Sequence, residues 1–286
     1  MSKNAKGEDE KIYETFSITM ELERPLFKDE EYDIDISERK EKKEKKRKNT
    51  FRCLIILVLA CTVGFLLWSN KTYKPKKLAK QALISSETVE VKDFGDISFI
   101  PKKVNATKGF IFYPGAKVEP EAYAPICRDI AENGYQVIVA KMPLNLAVFS
   151  PNKGEEIMKE YPNIESWVVG GHSLGGVMAA DFASKNNLVD GVVFLASYSN
   201  GGELKNLGKD VLSVWGSKDG ILNFDKISIS KEKLPDYTKY VEIEGGNHSQ
   251  FGDYGIQSGD SDAIISQEEQ MEITSSSIVE FLKSIN

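Results

Sequence analysis

Histidine and cysteine are scarce, with two and three copies in 286 residues. Three cysteines cannot build a disulfide scaffold, and two histidines cannot form a histidine-rich metal site. Acid–base chemistry through imidazole therefore falls to His172 or His248. The chain also lacks a basic excess. Its 37 Lys+Arg against 43 Asp+Glu give a net charge of -6, which argues against general nucleic-acid binding. With 41% hydrophobic and 28% charged residues, it is neither disordered throughout nor a multi-span membrane protein.

What is present is strongly patterned. Residues 1–38 carry a net charge of -7, 39–52 a net of +7, 71–80 a net of +5 and 81–286 a net of -11. Between the two basic blocks lie 18 uncharged residues, CLIILVLACTVGFLLWSN, from Cys53 to Asn70. As a helix they reach roughly 27 Å, close to the hydrocarbon thickness of a bilayer. Arg52 and Lys71 can snorkel at the two ends, and Trp68 suits an interface. A buried core helix would leave both basic flanks unexplained. A cleaved signal peptide would need a shorter leader and a small-residue cleavage site after the apolar run. Val58-Leu59-Ala60-Cys61 loosely resembles a lipobox, but Val63, Phe65, Leu66 and Leu67 keep the next stretch apolar.

The expected layout is therefore a disordered charged tail over 1–50, a transmembrane signal anchor over 51–70, a stalk over 71–85 and a folded domain over 86–286. The Lys/Arg bias favours a cytoplasmic N-terminus and an extracytoplasmic folded domain at the cell membrane. The tail leaves room for a cytoplasmic partner, and its basic half for anionic headgroups. Cys53 and Cys61 fall in the span, so Cys127 is alone in the outer domain and no disulfide can form there. About 200 residues suffice for stability by burial.

That domain reads as alternating strands and helices. Apolar runs predict strands over 88–91, 97–100, 109–113, 135–140, 167–169, 191–196, 210–215 and 240–243. Helical spacing predicts helices over 119–132, 155–161, 174–185 and 268–285. The expected class is α/β: a mostly parallel sheet with helices on both faces, preceded by one transmembrane helix. Ligands of such sheets bind beyond the carboxyl ends of the strands.

Three strand ends point to one chemistry. Gly171-His172-Ser173-Leu174-Gly175 comes after the strand at 167–169 and opens the helix at 174–185. A nucleophile on that tight turn needs small neighbours two residues away, because the chain folds back closely on itself. A serine needs a base, and His248 comes after the last strand, whereas His172 should point away from Ser173 and do packing work. The base needs an acid to fix its tautomer. Asp219 comes after the strand at 210–215, ahead of the rivals Asp225 and Asp236. Oxyanion donors are expected at the N–H groups of Leu174 and Ala116, with Gly115 letting backbone approach substrate. Met142, Pro143, Leu146 and Phe149 lie after the fourth strand; either an apolar pocket wall, with Met142 and Leu146 at its centre, or ordinary core fits them. Asp253, Asp260 and Asp262 do not match a calcium-loop spacing, and no metal or other cofactor is called for.

Together these residues resemble the α/β-hydrolase superfamily, whose chain order is also Ser173…Asp219…His248. Gly171–Gly176, Gly216–Asp219, Gly245–Gly255 and the Tyr-Pro-Gly…Tyr-Ala-Pro stretch at 113–125 are similar to a compact bacterial branch of it. The resemblance spans about 86–286. It implies an eight-stranded sheet with one antiparallel strand and hydrolysis through an acyl-enzyme, but no particular substrate. Only 20 residues separate Tyr198 from Asp219, too few for a large lipase-type lid, so an open site without interfacial activation on triglyceride is expected. The expectation is a membrane-anchored serine hydrolase acting on a small-molecule carboxylic ester. The alternatives are acyl transfer to a cell-envelope hydroxyl and a non-catalytic anchored binding or signalling protein on the same fold.

Overall fold

A computed structural model of the chain describes residues 29–201 and 203–285. The part of the expected tail before Asp29 lies outside the described residues. The chain divides into two compact units, Met1–Gly64 and Phe65–Asn286.

Helix α1 runs unbroken over Asp29–Ser69, 41 residues. The stretch 29–50, expected to be disordered, is thus helical. Its Lys, Glu and Arg residues are good helix formers, and pairs one turn apart add support: Arg39–Asp35 at 2.8 Å and Lys42–Glu38 at 3.2 Å. Extending a helix from the apolar segment avoids a second nucleation. Within α1 an 18-residue window has a mean hydropathy of 2.4 and no buried residue, long and apolar enough to cross a membrane.

The second unit is built on one sheet of eight strands: β1 Val89–Phe94, β2 Asp96–Pro101, β3 Lys108–Tyr113, β4 Gln136–Val139, β5 Ser166–His172, β6 Val189–Leu195, β7 Asp210–Gly216 and β8 Lys239–Ile243. Their spatial order is β1-β2-β4-β3-β5-β6-β7-β8. β2 runs antiparallel to both its neighbours, and all other pairings are parallel. The expected α/β fold, with one antiparallel strand, is the fold observed.

Successive side chains of a strand face opposite ways, and β3 shows the consequence. Phe110 and Phe112 enter a core with Ile126, Ile130, Ile278 and Phe281, from α3 (Ala124–Glu132) and α7 (Gln267–Ser284). Ile111 and Tyr113 enter the opposite core with Ile157, Ala179 and Phe182, from α4 (Lys153–Glu160) and α5 (Leu174–Lys185). Cys127 is fully buried, and burial pushes its thiol pKa up.

Four local differences have physical causes. The β1–β2 ladder continues to Phe94 and Asp96, because Gly95 at φ +79 turns the chain in a single residue. The helix expected over 119–132 begins as a 3-10 turn, Pro120–Tyr123, and becomes α-helical with Pro125 in its first turn, where no N–H is needed. A short helix α6, Phe224–Ser230, starts where the Asn223 side chain accepts from the Lys226 N–H. Finally, 71–85 is no free stalk. Tyr73 forms a parallel bridge with Val118, and a helix α2, Lys77–Ala82, is held by Asp253, whose Oδ2 accepts from the Ala79 N–H at 2.9 Å.

Candidate active site

Ser173 sits between the end of β5 and the start of α5, at φ 52 and ψ -123. A side-chain-bearing residue rarely adopts this backbone, at a cost of about 1–3 kcal/mol, and it persists only where its surroundings hold it. Here they do. The Ser173 N–H donates to the Leu195 carbonyl at 2.9 Å, and the Ser173 carbonyl accepts from Ser197 Oγ at 2.7 Å and the Gly176 N–H at 3.1 Å. The two neighbouring glycines are required by space. A Cβ on Gly171 would lie 2.7 Å from the Gly175 carbonyl carbon, and one on Gly175 would run into the Tyr113 and Pro114 carbonyl oxygens. The turn thrusts Ser173 to a half-buried position above the sheet.

His248 lies just after β8. Its Nδ1 is 2.8 Å from Asp219 Oδ2, with both side chains essentially inaccessible to solvent. Asp219 is oriented from the other side, because its Oδ1 accepts from the N–H groups of Ile221 at 2.9 Å and Leu222 at 2.7 Å. A carboxylate at Nδ1 fixes the proton there and leaves Nε2 as the free acceptor. Nε2 of His248 is buried without a hydrogen-bond partner among the described residues. It receives no hydrogen bond from the Ser173 hydroxyl. The rivals of Asp219 lie elsewhere: Asp225 is exposed on α6, and exposed Asp236 pairs with Lys205 at 2.9 Å.

The other histidine packs as expected. His172 is fully buried, with its ring 4.5 Å from that of His248. Burial first, then the His248 imidazole, holds its pKa well below the usual 6.5, and contact with the His248 backbone offsets only part of this. Its Nδ1 lies 2.9 Å from the Tyr123 hydroxyl, which also accepts from the Gly115 N–H at 3.0 Å. With His172 held neutral by burial, its Nδ1 can accept the phenol's own proton. Gly115 is expected from the sequence to make room for substrate, yet the room is taken from within. A Cβ there would stand 2.7 Å from His172 Nδ1 and 2.9 Å from the Tyr123 hydroxyl.

With the Gly115 N–H engaged, the next amide, Ala116, has no hydrogen-bond partner among the described residues. The Leu174 N–H is the first of α5, where no carbonyl one turn back can receive it. Both follow the carboxyl ends of paired parallel strands, Ala116 after β3 and Leu174 after β5. Met142 and Leu146 are buried at 7% and 6% exposure, and Met142 packs in the same core as Tyr113 and Ala147. Pro143 and Phe149 are exposed.

Two residues to which sequence reading gave no part in the site tie it together. One is Tyr123, between Gly115 and His172. The other is Asp260, whose carboxylate accepts from the N–H groups of Gly220 at 3.0 Å, His248 at 3.3 Å and Ser249 at 2.8 Å, and from Ser249 Oγ at 2.6 Å. It stitches the loop bearing Asp219 to the loop bearing His248. The Tyr-Ala-Pro similarity pointed at Tyr123; nothing local pointed at Asp260.

Residues 109–272 match the model of the alpha/beta hydrolase family. Among solved structures, the esterase domain of a Rhodothermus marinus protein superposes with a TM-score of 0.51 at 11% identity, covering 66% of this chain and 92% of that one. Est1E from Butyrivibrio proteoclasticus gives 0.48 at 13% identity, covering 69% and 98%. No curated protein matches the chain.

Proposed function

Because the chain belongs to the alpha/beta hydrolase family, we propose that it is a serine hydrolase cleaving carboxylic esters through an acyl-enzyme, with Ser173, His248 and Asp219 as its triad. As Ser173 Oγ bonds to the ester carbonyl carbon, His248 Nε2 takes the hydroxyl proton, and Asp219 stabilises the imidazolium. The N–H groups of Ala116 and Leu174 receive the oxyanion. Collapse breaks the bond to the alcohol, which leaves with the proton from His248. Water, deprotonated by the same nitrogen, then releases the acid and restores Ser173. The observation that carries this reading is the buried 2.8 Å Asp219–His248 contact, with Nε2 left unpartnered, together with a serine held at φ 52 where β5 turns into α5.

The test is labelling of the folded protein with a fluorophosphonate. Wild type should label, and Ser173→Ala and His248→Ala should not. A folded wild type that stays unlabelled would refute the enzyme reading and favour a binding protein on this fold. The same reading puts residues 51–70 across a cell membrane with the N-terminus inside. Protease added to intact cells should then cut the hydrolase domain and spare the tail; the reverse pattern would overturn that orientation.

A further inference from the structure

We infer that the loop after β4 is a membrane-contacting surface, so that the proposed hydrolase draws its ester from the lipid bilayer. This rests on the serine-hydrolase reading above and names its substrate class: lipid-borne, amphiphilic esters.

The last turn of α1, from Phe65 on, belongs to the same compact unit as the sheet. Phe65 stacks edge-on against Phe149 with ring centroids 6.2 Å apart, and Lys117 Nζ lies 4.3 Å above the Trp68 ring. Phe65 stands five residues inside the uncharged run that ends at Asn70, about 7 Å along the helix. If that run spans a bilayer, the side chain packed on Phe65 shares its depth. That depth is typical of residues that dip into the boundary between headgroups and acyl chains.

The surface around Phe149 fits such an environment. Leu144, Val148 and Phe149 are 38%, 44% and 51% exposed on one short loop. Water is a poor solvent for three such side chains in a row of six residues, whereas a bilayer interface is a good one. The charges nearby have the sign that suits anionic headgroups: Lys117 lies over Trp68, and 71–80 holds five lysines and no acid.

The same loop reaches the reacting groups. Its Asn145 carbonyl accepts from the Lys117 N–H at 2.8 Å, one residue from the proposed oxyanion donor Ala116. The turn Ala147–Phe149 packs against α5, the helix that Ser173 opens. An acyl chain leaving the bilayer beside Phe149 therefore passes directly to the serine, and no lid is needed to expose an apolar entrance.

The test uses full-length protein, with Cys53 and Cys61 replaced by Ala, reconstituted in phosphatidylcholine–phosphatidylglycerol vesicles carrying doxyl-labelled lipid. Bimane is attached at Val148→Cys or, as control, at Leu188→Cys, which is exposed at the opposite end of the sheet. Quenching at 148 should be at least twice that at 188; equal quenching overturns the proposal. In a second arm, Leu144→Asn with Val148→Glu should slow hydrolysis of a long-chain fluorogenic ester dissolved in the vesicles at least fivefold, and leave a water-soluble acetyl ester within twofold. Asn suits the positive φ of Leu144, so the backbone is not strained. Equal effects on both esters, or none, refute the substrate class. Strong quenching in a protein that no fluorophosphonate labels would keep the membrane face and refute the ester chemistry, which separates the two failures.

Discussion

His172 is neutral in the folded protein because burial disfavours its charged form. In the unfolded chain it titrates near its ordinary 6.5. Below that pH the unfolded state binds the extra proton, so stability is complete above about 6.5 and falls as pH drops below it, by up to about 1.4 kcal/mol per pH unit. The loss ends only when the pH passes the depressed folded-state value. His172→Asn, whose amide oxygen can accept where Nδ1 does, should remove this slope; urea midpoints at pH 7.5 and 5 measured on both proteins check it. Tyr123 tests the neighbouring contact. Its hydroxyl serves the Gly115 N–H and His172 Nδ1, both buried. Tyr123→Phe leaves two buried polar atoms unpaired, at a cost of about 1–3 kcal/mol each. Denaturant melts should show that loss, and kcat on a soluble ester should fall because the loop with the proposed oxyanion donor Ala116 is no longer pinned through His172 to the turn bearing the proposed nucleophile Ser173.

At the scale of elements, the proposed triad depends on two loops held in register. Asp260 accepts from both, so Asp260→Ala frees the loop after β7 from the loop after β8. A displacement of about 1 Å between base and nucleophile can cost about 10²-fold in rate. Asp260→Ala should lower kcat tenfold or more on a soluble ester with KM little changed. Asp260→Asn, which keeps one acceptor oxygen, should fall between; an unaltered kcat in the Ala variant would deny Asp260 a positioning role. This residue also shows where sequence reading stops. All eight strands were legible: the central ones are short apolar runs buried on both faces, as in 109–113, and the edge strands β1 and β8 are short runs bounded by turns. The proposed Ser173, Asp219 and His248 were read from the same pattern, each lying in the turn or loop that follows a strand. Asp260 was not, since its partners are backbone amides up to 40 residues away in the chain, and an amide leaves no mark in composition. The short helices α2 and α6 were missed because six and seven residues are too few to show a period.

At the scale of the whole chain, the charge blocks announced the apolar helix but misrepresented the segment on its C-terminal side. Five lysines over 71–80 read as solvated linker. The contacts that hold this stretch are mostly made by main chain and are indifferent to those side chains. The Tyr73 N–H donates to the Lys117 carbonyl at 2.7 Å, the Glu119 N–H to the Tyr73 carbonyl at 3.0 Å, and the Lys76 N–H to the Asp253 carbonyl at 2.8 Å. The Tyr73 ring packs 5.6 Å from that of Tyr254. The segment is therefore a strap on the hydrolase unit, and it grips the loop that carries Ala116. Its contribution can be isolated by truncation. A chain starting at Phe65 keeps the strap, whereas one starting at Lys77 loses it along with the burial of Tyr73. One aromatic side chain taken out of its contacts costs about 2 kcal/mol, which in a unit of this size lowers Tm by roughly 4–8 °C. Thermal melts in mild detergent should place the Lys77 form that far below the Phe65 form. Equal Tm values would return 71–76 to the role of a passive tether.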